Sequence, residues 1–127
     1  MGAVVYVSSS DVLTGCFDLG REAVINEMDA IIAEASHTAE ADVSGHIDID
    51  KLHDTHTIAP RVLRQLVLYK ARVLGYVLHY GGSIPEDGGQ VKHWECAYTN
   101  LLKHITDGAF DIPLASLLLS NNMARGI

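Results

Sequence analysis

Pro60-Arg61-Val62-Leu63-Arg64-Gln65-Leu66-Val67-Leu68-Tyr69-Lys70-Ala71-Arg72-Val73-Leu74-Gly75-Tyr76-Val77-Leu78-His79-Tyr80-Gly81-Gly82 is the stretch that sets the fold class. Proline suits a helix start because its φ is already helical and the N–H it lacks would have no partner there, and a Gly pair is a common stop. Between them lies room for a helix of about 31 Å. Its expected core face is Val62, Leu63, Leu66, Val67, Val73, Leu74, Val77 and Leu78. Projection at 100° per residue puts Arg61, Arg64, Arg72 and His79 in a stripe on the far side and drops Lys70 into the apolar face. An ammonium buried alone costs several kcal/mol (about 2–7 for a polar group), so Lys70 is expected to snorkel to water or to meet a carboxylate, such as one on another subunit.

Upstream, Val24, Ile25, Met28, Ile31, Ile32, Ala35, Ala39 and Val43 recur at steps of three and four, which predicts one long helix from Arg21 to about Ser44 with Asp18 as its cap. Its other side carries Glu22, Glu27, Asp29, Glu34 and Glu40, read as a solvated or partner-facing acidic surface. Before it, Val4 to Val7 reads as an extended segment. Ser8-Ser9-Ser10-Asp11 can cap a short first helix over Asp11 to about Phe17, which Gly15 and Asp18-Leu19-Gly20 interrupt.

Downstream, the turn formers of Gly81 to Gly89 precede a helix with Val91, Trp94, Ala97, Tyr98, Leu101, Leu102 and Ile105 on one face, ending at Asp107-Gly108. The expected architecture is therefore all-α: a small bundle of one short and three long helices with an extended N-terminal segment, an inter-helix loop and a C-terminal arm. The bundle is assigned to residues 1–113 and the arm to residues 114–127, with Leu114, Leu117, Leu118 and Leu119 as the arm's apolar cluster.

Length and composition fit that picture. The chain has 127 residues, about one domain. With 48% hydrophobic and 20% charged residues it has the makings of a globular core. Nine Lys and Arg against 16 Asp and Glu leave a net charge of −7, the wrong sign for neutralising phosphates, so tight nucleic-acid binding is not expected. Charges at Arg61, Arg64, Lys70 and Arg72 interrupt the most apolar stretch, which argues against a membrane span. No export signal or lipid anchor is expected from the first residues. Cys16 and Cys96 have no CxxC spacing and are expected to be reduced core thiols.

Motifs for chemistry are sparse. His46, Asp48, Asp50, His53 and His56 crowd one segment and are the candidate metal ligands. Counting from Asp48, however, the sixth position is His53 where a calcium loop needs Gly, and His53 with His56 lacks the i, i+4 spacing of a helical zinc pair. The segment is read as a hydrophilic loop. Neither cysteine has a nucleophile motif around it, and the Gly-rich connector lacks the Lys-Ser or Lys-Thr of a phosphate cradle. Arg61, Arg64 and Arg72 are read as an interface for carboxylates, such as those of the acidic helix or of a neighbouring copy.

The order of these elements resembles the head-tail connector (adaptor, or head-completion) proteins of tailed phages, Mu-like branch. The resemblance is carried by Tyr6-Val7-Ser8-Ser9-Ser10-Asp11-Val12-Leu13, by Ala30-Ile31-Ile32-Ala33-Glu34-Ala35 leading to His46, by Ile58-Ala59-Pro60-Arg61-Val62-Leu63-Arg64, and by Leu102-Lys103-His104-Ile105-Thr106-Asp107-Gly108 running to Pro113. The loop from His46 to His56 departs from the family, which commonly has an aromatic and a Pro-containing turn there. The resemblance implies a non-catalytic virion protein, made in the host cytoplasm and needing no cofactor. It would form a ring, typically of twelve copies, below the portal, extending the DNA exit channel and giving tail or neck proteins a docking platform. DNA would pass without specific binding, and an acidic lumen would repel its backbone. Leu114, Leu117, Leu118, Leu119, Arg61, Arg64, Lys70 and Arg72 would then be the portal- or subunit-binding residues. Two other readings stand beside it: a small metal-binding enzyme or sensor using the His46 to His56 segment, and a generic helical interaction module.

Overall fold

A computed structural model of the chain describes residues 4–81 and 83–107. The leucine cluster of the C-terminal arm, and with it the expected boundary at 113, lies outside the described residues. Among those described, the order is α1 (Ser9–Leu13), a 3₁₀ turn (Phe17–Leu19), α2 (Glu22–Ile25), α3 (Met28–Val43), α4 (Ile49–Thr55), α5 (Arg61–Tyr80) and α6 (Gly89–Thr106). The fold is an all-α bundle, with a parallel bridge between Val5 and Ile58.

Helix α5 is the spine, with α3 and α6 packed along it and α1, α2 and the 3₁₀ turn against it as well. Its ends obey local chemistry. Pro60, expected as the first helical position, is the N-cap, so the helix begins one residue later at Arg61, and the Gly81 N–H closes the last turn on the carbonyls of Val77 and Leu78. Because neighbours press on it from several directions, its burial does not follow one stripe. Leu63, Leu66, Val67, Ala71, Val73 and Tyr76 are buried, whereas Val77 and Leu78, expected in the core, are 41% and 39% exposed. Gly75 lets the 3₁₀ turn approach closely: a Cβ there would lie 3.2 Å from Leu19 Cδ1.

Three other parts of the chain differ from the sequence-based expectation. The first helix is shorter and earlier, because Ser8 and Asp11 form a reciprocal capping box that starts it at Ser9. The long acidic helix is broken at Asn26 and Glu27 into α2 and α3, and Arg21, not Asp18, is the N-cap of α2. Buried Val24 and Met28 keep the i, i+4 spacing across the break, so periodicity alone does not register it. The backbone departs from helical geometry at Glu27, with φ of −103° and ψ of 5°. The supposed loop contains α4, capped by the Asp48 carboxylate on the Lys51 N–H at 3.0 Å. Only Leu52 of this helix is buried, with Ile47 just before it, too few positions to show a helical period. The connector into α6 does behave as a turn: Gly88 and Gly89 have φ of 88° and 50°, and Asp87 accepts the Gly89 N–H.

Three tyrosines pin elements together by donating to carboxylates: Tyr6 to Glu40 at 2.7 Å, Tyr76 to Asp18 at 2.6 Å and Tyr98 to Asp42 at 2.5 Å. Each pair joins residues at least 34 positions apart. In all three, burial first and the anionic acceptor second push the phenol well above its usual range. A group whose folded pKa is raised gives its full stabilisation below the unfolded value, about 10 for tyrosine, and loses it above. Melting temperature is therefore expected to fall above about pH 10, where the unfolded chain releases phenolic protons that the native one keeps. Circular-dichroism melts followed beside tyrosinate absorbance check this, and phenols ionising near pH 10 without unfolding would contradict it.

Candidate interaction surfaces

The residues of α5 at 61, 65, 68 and 72 follow one another at steps of four, three and four and so form a single ridge. The ridge faces α1 and the N-terminal segment across a cavity of about 320 Å³, lined by Arg61, Arg64, Gln65, Leu68 and Arg72 from α5 and by Tyr6, Val7, Asp11 and Thr14 opposite. Arg61 and Arg64 are exposed. Arg72 is not: it is 8% exposed, and its guanidinium reaches the main chain at the end of α1. Nε donates to the Val12 carbonyl at 3.2 Å, and Nη2 donates to those of Asp11 and Thr14 at 3.1 and 2.7 Å.

This corrects the expectation that Arg72 lies on the far side, available to a partner. The last carbonyls of a helix have no partner within it and carry partial negative charge, which a guanidinium satisfies. Trp94 of α6 covers the group from another side, with its ring 4.5 Å from Arg72 Cζ. His79 is likewise half-buried and not on an open stripe, and its carbonyl accepts from Arg21 Nη1 at 2.9 Å. Arg72 thus ties α1, α5 and α6 together and is the polar centre of the fold. The tie could not be read from spacing because its partners stand about 60 positions away.

Lys70 is half-buried, with its ammonium 5.4 Å from the centre of the Tyr98 ring. An aromatic face thus meets the charge that the apolar stripe would have stranded. The acidic surface divides in the same way. Glu22, Glu27, Asp29 and Glu34 are exposed, whereas Glu40 is half-buried and its Oε2 receives both the Tyr6 hydroxyl and His53 Nε2, the latter at 2.8 Å.

The proposed metal ligands are scattered by their structural tasks. His53 Nδ1 lies 3.4 Å from the Val4 N–H while its Nε2 faces Glu40, which makes Nε2 the protonated nitrogen. His56 pairs with the Thr55 hydroxyl at 2.8 Å, Asp48 caps α4, and Asp50 is exposed in its first turn. Among the described residues no group of three or more His, Cys, Asp or Glu side chains is placed to hold a metal ion. Of the two thiols, Cys16 is buried as expected, but Cys96 is exposed on α6 and does not belong to the core. Among the described residues no helix is long and apolar enough to cross a membrane.

Several exposed side chains are apolar. Phe17 is 83% exposed in the 3₁₀ turn, and Ile25 of α2 joins Val77 and Leu78 in the last turns of α5 as exposed side chains. These elements meet at one end of the bundle, where Asp18 holds Tyr76 and Arg21 holds the carbonyl of His79. Set against family models, curated proteins and solved structures, the chain finds no match.

Proposed function

We propose that this chain is a structural subunit and not an enzyme, working by occupying a place in a protein assembly. The assembly we assign it to is the neck of a tailed phage. There it would form a connector ring below the portal, extend the DNA exit channel and offer a platform to tail or neck proteins. The observation that carries this reading is that Phe17, Ile25, Val77 and Leu78 are exposed on elements that pack together at one end of the bundle. Single exposed hydrophobics are ordinary, but several gathered on adjoining elements of a small domain mark a surface that another protein covers. The phage assignment is supported by the order of the helices and their punctuation: the Ser8 cap, the Pro60 start and the helix ending at Thr106.

The test is electron microscopy of particles from cells expressing the tagged chain, beside a Phe17→Ser/Leu78→Ser variant. A helical ring between portal and tail is expected with the unaltered chain. The variant is expected to keep its helical spectrum and be lost from particles, since both substitutions fall on exposed side chains. Absence of the unaltered chain from mature particles would refute the phage reading.

A further inference from the structure

Arg61 and Arg64 stand in the first turn of a 20-residue helix that has no acidic residue there and no side-chain cap. The partial positive charge of a helix start disfavours cations, so the free subunit keeps two guanidiniums where its own field opposes them. Among the described residues neither lies against a carboxylate. Both line the cavity between α5 and α1, and so does Arg72, fixed by three carbonyls and the Trp94 ring. The one carboxylate on the wall, Asp11, is already held by the Ser8 N–H at 2.9 Å.

The same chain displays the complement. Glu22, Glu27, Asp29 and Glu34 are exposed on α2, α3 and their junction, and among the described residues no cation pairs with them. We infer that the guanidinium cavity beside α1 seats Glu27 and Glu34 of a second copy of this chain, two exposed acids seven residues apart and so on one side at the start of α3. Arg61 and Arg64 make the contacts, and Arg72 stays a structural anchor at the cavity's back.

Carboxylates fit better than a phosphate. Asp11 on the wall repels a multiply charged anion more than a single carboxylate, which an arginine fork can take bidentately. Each patch meets the other and not itself, so a head-to-tail repeat of the contact produces a ring or an open filament, whereas a reciprocal pairing closes a two-fold dimer; the ring subunit proposed above uses the first. This rests on the reading of the chain as a self-assembling subunit and names the surfaces it would use.

Charge reversal tests it on the full chain. In sedimentation equilibrium the unaltered protein is expected to self-associate at about 0.05 M salt and to dissociate at about 0.5 M, as screening shortens the reach of the charges. Arg61→Glu/Arg64→Glu is expected to weaken association by about tenfold or more, and so is Glu27→Lys/Glu34→Lys. Mixing the two variants restores it, because each then meets an opposite charge on both of its faces. Melting temperatures of the separate variants show that they fold. A protein that is monomeric at low salt, variants that associate like the parent, or a mixture that stays monomeric would overturn the inference. So would inorganic phosphate binding tightly to a monomer and losing its site in Arg61→Glu/Arg64→Glu. If particles still carry a normal ring built from the reversed variants, this contact is wrong while the neck assignment stands.

Discussion

Replacing Arg72 with Leu is expected to destabilise the fold by about 3 kcal/mol or more, the largest effect of any polar substitution in the described chain. The guanidinium donates to three carbonyls at the end of α1. A leucine leaves those oxygens without donors in a place where the arginine is 8% exposed, so little water can replace it. A five-residue helix cannot persist alone, because nucleation is unfavourable and few bonds follow it. Losing this anchor should therefore free α1 before the rest melts. Urea denaturation measures the global loss, and amide exchange at Val12 and Thr14 reports the local one. Arg72→Lys should recover only part of the loss, since one ammonium cannot reproduce the planar fork. Arg61→Ala, on an exposed side chain of the same ridge, should stay within about 0.5 kcal/mol. Equal effects at 61 and 72 would mean that the buried network has been misjudged.

Leu66→Ala is expected to cost about 2–5 kcal/mol, the range for removing a leucine whose surroundings cannot collapse into the space. Leu66 is 0% exposed on the helix that both α3 and α6 pack against. Settling one of those helices into the gap would pull the other out of register with α5. The useful contrast is Leu78→Ala, twelve residues along the same helix and 39% exposed, which should cost at most about 1 kcal/mol in the isolated chain. Leu66 serves the fold, whereas Leu78 belongs to the surface assigned to a partner. Chemical denaturation of the two variants side by side separates these roles. A Leu78 variant as damaged as the Leu66 one would place Leu78 in the core and weaken the case for an assembly surface.

The frame of the bundle was written in local signals. Proline and glycine bracket α5, and their effects are confined to neighbouring φ angles and N–H groups, so its observed limits of Arg61 and Tyr80 lie within one residue of the expectation. The apolar faces of α3 and α6 were legible for a related reason, since a repeat of three and four can be satisfied only by a helix against a core. The junction at Asn26 and the helix at 49–55 escaped because neither changes that repeat: one leaves it unbroken and the other is too short to show it.

The candidate site was legible in its ingredients but not in its arrangement. Arg61, Arg64 and the exposed acids were recognisable as surface charges, yet Arg72 was counted among them and is buried. A helical wheel assigns sides by assuming one buried face. On α5, neighbours from α1, α3 and α6 bury the middle of the helix on several sides and leave its last turns bare. Glu40 was similarly placed with solvated acids before Tyr6 and His53, 34 and 13 positions away, were seen to claim it.

By itself, then, the amino-acid order determined that this chain is helical, where its longest helices start and stop, and that it carries a surplus of negative charge. The tertiary structure alone decided which charges are structural and which are free. Helix formation is settled by contacts within about four residues, whereas the fate of a charge depends on which distant carbonyls, phenols and rings the packing brings within hydrogen-bonding reach.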